Sequence, residues 1–81
     1  MAGAAIPVAT TCNRPEIDRQ LRGLIAEAVD NGLTVRAATE RAARRAAAAA
    51  TAKGWRADLV DFVVIRTVDL GAQYAAVSAA A

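Results

Sequence analysis

Apolar residues recur at Ile17, Leu21, Leu24, Ile25, Ala28 and Val29, offsets of 0, 4, 7, 8, 11 and 12. That spacing draws one stripe on an amphipathic helix. Arg19, Gln20, Arg22 and Glu27 face away from it. Pro15 suits the first helical turn, where its missing N–H removes no hydrogen bond. Glu16 and Asp18 follow it, close to the positive end of the helix dipole. The run Asp30-Asn31-Gly32 ends the helix: Gly32 can take the left-handed cap conformation, and Leu33 can fold back on the last turn.

A second helix is predicted from Thr34, as N-cap, to about Lys53, with Gly54 as its stop. Its apolar face reads Val35, Ala38, Ala42, Ala46, Ala49 and Ala50. All but one of these is alanine. Arg36, Glu40, Arg41, Arg44 and Arg45 fan over much of the opposite side. Glu40 and Arg44 stand four apart in the order that favours a surface ion pair, worth about 0.3–0.5 kcal/mol.

The third segment, from Trp55 onward, reads two ways. VDFVVIRTV is rich in β-branched residues and has strand character. At 100° per residue, however, Asp58, Asp61, Arg66, Asp69 and Gln73 share one arc. Leu59, Val60, Val63, Val64, Leu70, Tyr74 and Val77 lie outside it. Strict alternation fails, because residues 62–65 are all apolar, and the helical pattern is the better fit. Residues 59–68 stay open between helix and strand on pattern alone. Gly71 would mark a bend or a close contact. The apolar arc is wider than one neighbouring helix needs, which asks for surface from another subunit.

Residues 1–13 lack sustained periodicity and read as an arm, floppy or anchored on a partner through Ile6 and Val8. The expected architecture is therefore all-α. It is a small three-helix domain over residues 14–81, a helical hairpin plus a C-terminal helix, preceded by an extended N-terminal arm.

Composition narrows the options. At 81 residues there is room for one domain with a thin core, which buries roughly 60–65% of the unfolded chain's surface. Domains this small often add a disulfide, a metal or a partner. Cys12 is the only cysteine and histidine is absent, so the partner is the remaining choice. The chain is 56% hydrophobic but only 4% aromatic, and arginine outnumbers lysine nine to one. Such an alanine and arginine bias fits a high-GC genome, an actinobacterium or one of its viruses. The opening MAGAAIPVATTC has no basic n-region and is not expected to be a secretion signal. No run of 18 apolar residues exists, so no membrane partner is expected. An unpaired cysteine fits a reducing cytosol. The expected location is cytoplasmic, or within an assembled virion.

The net charge of +2 is unevenly spread. Residues 33–53 carry +4, and the segments on either side carry −1 each. The stretch RAARRAAAAATAKG at 41–54 poses the question of use. In one reading Arg36, Arg41, Arg44 and Arg45 contact phosphates. The segment NGLTVRAATERAAR resembles the opening of a helix-turn-helix. No turn follows within a dozen residues, though, and Trp55, Phe62 and Tyr74 are too scattered to form a stacking platform. In the other reading the arginines are a solvated face and the alanines let a bulky helix approach closely. The arginines would then pair with Asp58, Asp61 or Asp69, within the chain or across subunits.

Catalytic chemistry has little support. Histidine, the commonest acid–base residue, is missing, and only Arg14 could activate Cys12. Asp58 and Asp61 sit one turn apart as magnesium ligands might, a spacing far commoner on a solvated face. Neither a phosphate loop nor a dinucleotide fingerprint is present. No enzyme activity, cofactor or metal is expected.

The sequence thus points to a non-enzymatic structural subunit that packs into a homo-oligomer or larger complex with other protein subunits, such as a virion component of a phage of a high-GC bacterium. The candidate interface is Val35, Ala38, Ala42, Ala46, Trp55, Leu59, Phe62, Val63, Leu70 and Tyr74. Trp55 serves either as a core anchor closing the second hairpin or as an interface hot spot. The alternative is a small nucleic-acid-binding protein that uses Arg36, Arg41, Arg44 and Arg45. An adaptor or antitoxin-like module that folds on its partner is a third possibility.

Overall fold

A computed structural model describes residues 14–80. The arm at 1–13 lies outside the described residues. Three helices follow in order: α1 (Arg14–Asp30), α2 (Val35–Ala52) and α3 (Ala57–Ala80). The fold is all-α, with no strand among the described residues.

The helix ends form where local chemistry demands them. Asn31 and Gly32 close α1: the Gly32 N–H donates to Val29 O at 2.9 Å and the Leu33 N–H to Ala28 O at 3.1 Å. The same pair of bonds closes α2, from Gly54 to Thr51 O at 3.0 Å and from Trp55 to Ala50 O at 3.1 Å. Both are Schellman motifs, which need a left-handed residue. Gly32 and Gly54 supply it at φ 101° and 81°. Leu33 and Trp55, the residues just beyond, turn back and pack against the core. Thr34 caps α2 as expected, its Oγ1 accepting from the Ala37 N–H at 3.1 Å.

Short connections make α1–α2 and α2–α3 antiparallel neighbours, so α1 and α3 run parallel. Arg14 lies over the Phe62 ring at 5.5 Å and Asp18 meets Arg66 one turn further along both helices. The described residues measure 46 × 20 × 20 Å. The core joins Ile17, Leu21, Ile25 and Ala28 of α1 to Ala38, Ala42 and Ala46 of α2, and to Val63 and Leu70 of α3.

Residues 59–68, open between helix and strand by pattern, are helical. Val63, Thr67, Leu70 and Gly71 are the buried residues of α3, one stripe at helical spacing. On a strand, odd and even members of that set would face opposite sides. β-propensity is a weak preference, and burial of this stripe overrides it. Thr67 is completely buried, and its hydroxyl donates to Val63 O at 2.7 Å, so no polar group is orphaned.

Gly71 makes the close contact anticipated for it. A Cβ at this position would collide with the Thr39 side chain, meeting Cγ2 at 2.6 Å and Cβ at 2.9 Å. Thr39 cannot swing clear cheaply, because its hydroxyl donates to Val35 O at 2.7 Å and the clash reaches its Cβ.

The expected Glu40–Arg44 pair does not form. Glu40 instead pairs with Arg36, at 3.7 Å and with both side chains exposed. Exposed pairs of either order differ by only a few tenths of a kcal/mol, so rotamer preference decides between them.

The two helical glycines make opposite predictions. Gly23 has nothing within 4 Å of a built Cβ. Gly23→Ala should raise unfolding stability by about 0.5–1 kcal/mol through helix propensity alone. Gly71→Ala gains the same propensity but must separate α2 from α3, and it should lower stability by about 1–3 kcal/mol. Urea unfolding followed by circular dichroism measures both. A stabilised Gly71→Ala would show that this helix contact is loose.

Candidate functional site

Of the ten candidate interface residues, Ala38, Ala42, Ala46, Val63 and Leu70 are buried inside the chain's own core. Val35, Trp55, Leu59, Phe62 and Tyr74 are half-buried. Trp55, Phe62 and Tyr74 pack along the core's rim. The alanine face of α2, apart from the exposed Ala49, is thus occupied by the bulky residues of α1 and α3.

Among the described residues, the large apolar ones that remain exposed are others, all on α3: Ile65 at 61%, Val68 at 54% and Val77 at 70%. Ile65 and Val68 sit one turn apart on the side opposite Val63, Thr67 and Leu70. Asp58, Asp61 and Asp69 share that side and are exposed as well. The sequence held a signal for Ile65, since 100° spacing places it in the middle of the arc of aspartates. The other members of the run 62–65 are buried or half-buried, so apolarity alone does not single it out.

Arg36, Arg41, Arg44 and Arg45 are all exposed on α2. Arg41 and Arg45 border a polar cleft of about 200 Å³ against Glu27 of α1 and Asn31 just beyond its end. Among the described residues, Arg41, Arg44 and Arg45 form no ion pair, and the aspartates proposed as partners do not reach them within the chain. Asp58 pairs with Arg56 at 3.5 Å and accepts from the Leu59 N–H at 3.0 Å, a first-turn contact on α3. The described residues hold no cluster of three metal-ligating side chains, and Asp58 and Asp61 are both exposed. None of the described helices is long and apolar enough to cross a membrane.

A second open groove, of about 430 Å³, runs between α1 and the C-terminal half of α3, with Ile25, Leu70, Tyr74 and Val77 among its walls.

One tertiary ion pair was not legible from the sequence. Arg66 grips Asp18 with two hydrogen bonds, Nε to Oδ1 at 2.9 Å and Nη2 to Oδ2 at 2.7 Å. The side chains are only 30% and 14% exposed. This bidentate fork locks the register of α3 along α1. The Arg66 hydrogen bonds hold the Asp18 carboxyl below its ordinary 3.8; partial burial opposes them, and the positive charges of Arg66, Arg22 and Arg14 add to them.

Because the folded-state value lies below the unfolded one, this pair stabilises the fold above pH 3.8 and stops doing so as pH falls through the folded value. The stability gap between the parent and Asp18→Asn should be full at pH 7 and narrow only as pH falls below the ordinary 3.8 toward the lower folded-state value. Thermal melts across pH measure the gap. A gap independent of pH would mean that the asparagine disturbs packing rather than charge. In comparisons with known proteins, no protein-family model, curated protein or solved structure matches the chain.

Proposed function

We propose that the chain is a non-enzymatic assembly subunit that associates with protein subunits, its own copies foremost, through the outward face of α3. The observation carrying this reading is the exposure of Ile65 and Val68 at 61% and 54%, mid-way along the longest helix. Single exposed apolar residues are ordinary on a protein surface. A pair one turn apart, continued by the small residues Ala72 and Ala76, makes a smooth strip on which another helix can lie. A thin core of alanines gives the isolated chain modest stability, and association adds to it. A repetitive particle such as a phage virion uses subunits of this kind in many copies.

Light scattering over a concentration range at moderate salt tests the reading. The parent should show a defined oligomer, and Ile65→Lys with Val68→Lys should reduce it to a monomer of unchanged helicity, since both side chains point away from the core. A monomeric parent at every concentration would sink self-association.

A second reading rests on Arg41, Arg44 and Arg45, exposed and without an ion pair among the described residues. Here α2 binds nucleic acid through phosphates. Affinity for duplex DNA should then fall steeply with salt, and Arg44→Ala with Arg45→Ala should flatten the log–log slope by about 2. Binding that ignores salt, or no binding at low salt, counts against this reading.

A further inference from the structure

We infer that the occupant of α3's outward face is the outward, arginine-bearing face of α2 on a second copy of this chain, so that copies join head to tail. This rests on the reading of α3 as an assembly surface and names what it meets.

The first argument is charge. The outward side of α3 carries Asp58, Asp61 and Asp69 around Ile65 and Val68, all exposed. The outward side of α2 carries Arg41 and Arg44 beside the exposed alanines Ala48 and Ala52. Neither set satisfies the other within the chain, because the two sides point outward from one bundle. Two α3 faces laid parallel and in register would instead oppose aspartates with aspartates, with only Arg56, already paired with Asp58, as a cation nearby. Laid antiparallel about Ile65 and Val68, they would set the aspartates against Val64, Ala72 and Ala75, with no charge complement for groups leaving water.

The second argument is spacing. Arg41, Arg44, Ala48 and Ala52 follow one another at steps of three, four and four residues, and so do Asp58, Asp61, Ile65 and Asp69. Laid parallel in this register, Arg41 meets Asp58 and Arg44 meets Asp61. Ile65 then falls on Ala48, whose small side chain leaves room for it, and Val68 falls on Thr51. Asp69 falls on Ala52, while Lys53, past the end of α2, lies over the Trp55 ring at 5.7 Å. Charge pairs at one end adjoin apolar contact in the middle, as in a specific interface with a polar rim. An antiparallel overlay that keeps Arg44 against Asp58 brings Val68 to Thr34, beyond the start of α2, and loses the matching apolar half.

Such a contact uses two different surfaces of the chain. Each joined pair keeps one free α2 face and one free α3 face, so assembly continues until it closes as a ring or extends as a filament.

Two charge-reversed variants test this. Asp58→Lys with Asp61→Lys spoils the α3 face, and Arg41→Glu with Arg44→Glu spoils the α2 face. All four positions are exposed, and circular dichroism checks that each variant remains helical. Each variant alone should be monomeric. Mixed, they should assemble together with the two variants alternating, because both junctions are complementary. The unaltered arginines of one meet the unaltered aspartates of the other, and the two charge-reversed faces also match. All four substitutions in one chain should restore self-association. If charge reversal at the first turn of α3 lowers helicity, Asp61→Asn and Arg44→Gln ask the same question more gently, each raising the concentration at which the parent associates.

If the α2-face variant keeps the parent's oligomer, α3 meets something other than α2. The head-to-tail inference is then overturned while α3-mediated assembly stands. A mixture that stays monomeric overturns the inference too. A parent that is monomeric throughout removes the reading beneath it.

Discussion

The fold depends on how closely α2 can approach its two neighbours. Ala38, Ala42, Ala46 and Ala50 are its buried residues, four small side chains repeating every fourth position. Alanine loses no side-chain entropy on folding, so this face is inexpensive to order. It also buries little area, so the bulk of the core must come from elsewhere. Ile17, Leu21 and Ile25 on α1, with Val63 and Leu70 on α3, supply it. Thr39 packed on Gly71 fixes how near α3 can come, since even a methyl group there would collide. With that distance set, the Arg66 fork on Asp18 fixes the sliding register of α3 against α1. The small residues determine separation and the ion pair determines registration.

The same constraint explains what stays outside. A narrow alanine helix covers only part of a neighbour as apolar as α3. Val63, Thr67, Leu70 and Gly71 are absorbed, while Ile65 and Val68 are left facing solvent. The broad apolar arc of α3 is therefore split into a face that builds the bundle and a strip that does not. The arginines of α2 have a related origin. With its inward face reduced to methyl groups, α2 has a wide outward side, and that side carries four of the chain's ten basic residues.

Features set by neighbouring residues were legible in the sequence. Thr34, Gly32, Gly54, Leu33 and Trp55 act through contacts within five residues, and their identity foretells both helix ends. The close approach at Gly71 was legible as a break in pattern, though its partner Thr39 was not. The helical state of 59–68 was harder, because β-branched residues and a run of four apolars blur the period. The Asp18–Arg66 pair is separated by 48 residues, and no local spacing encodes it. The candidate interface fell largely on core for a physical reason. Periodicity identifies which side of a helix is apolar, but not whether the chain covers that side itself. Ala38, Ala42, Val63 and Leu70 are covered from within, which three-dimensional packing shows and periodicity alone does not.

The outward face of α2 cannot serve both of its proposed partners at once. Phosphates and the aspartates of α3 are anionic ligands for the same guanidinium groups, so occupation by one excludes the other. They differ in what else they ask of the surface. A phosphate backbone needs only exposed positive charge, and its affinity falls with salt in proportion to the contacts made. A helix bearing Ile65 and Val68 also needs a smooth apolar floor beside the charges. Ala48 and Ala52 provide that floor, and a phosphate binder has no use for it. The run of small residues among the arginines thus weighs toward a helical occupant over a nucleic acid.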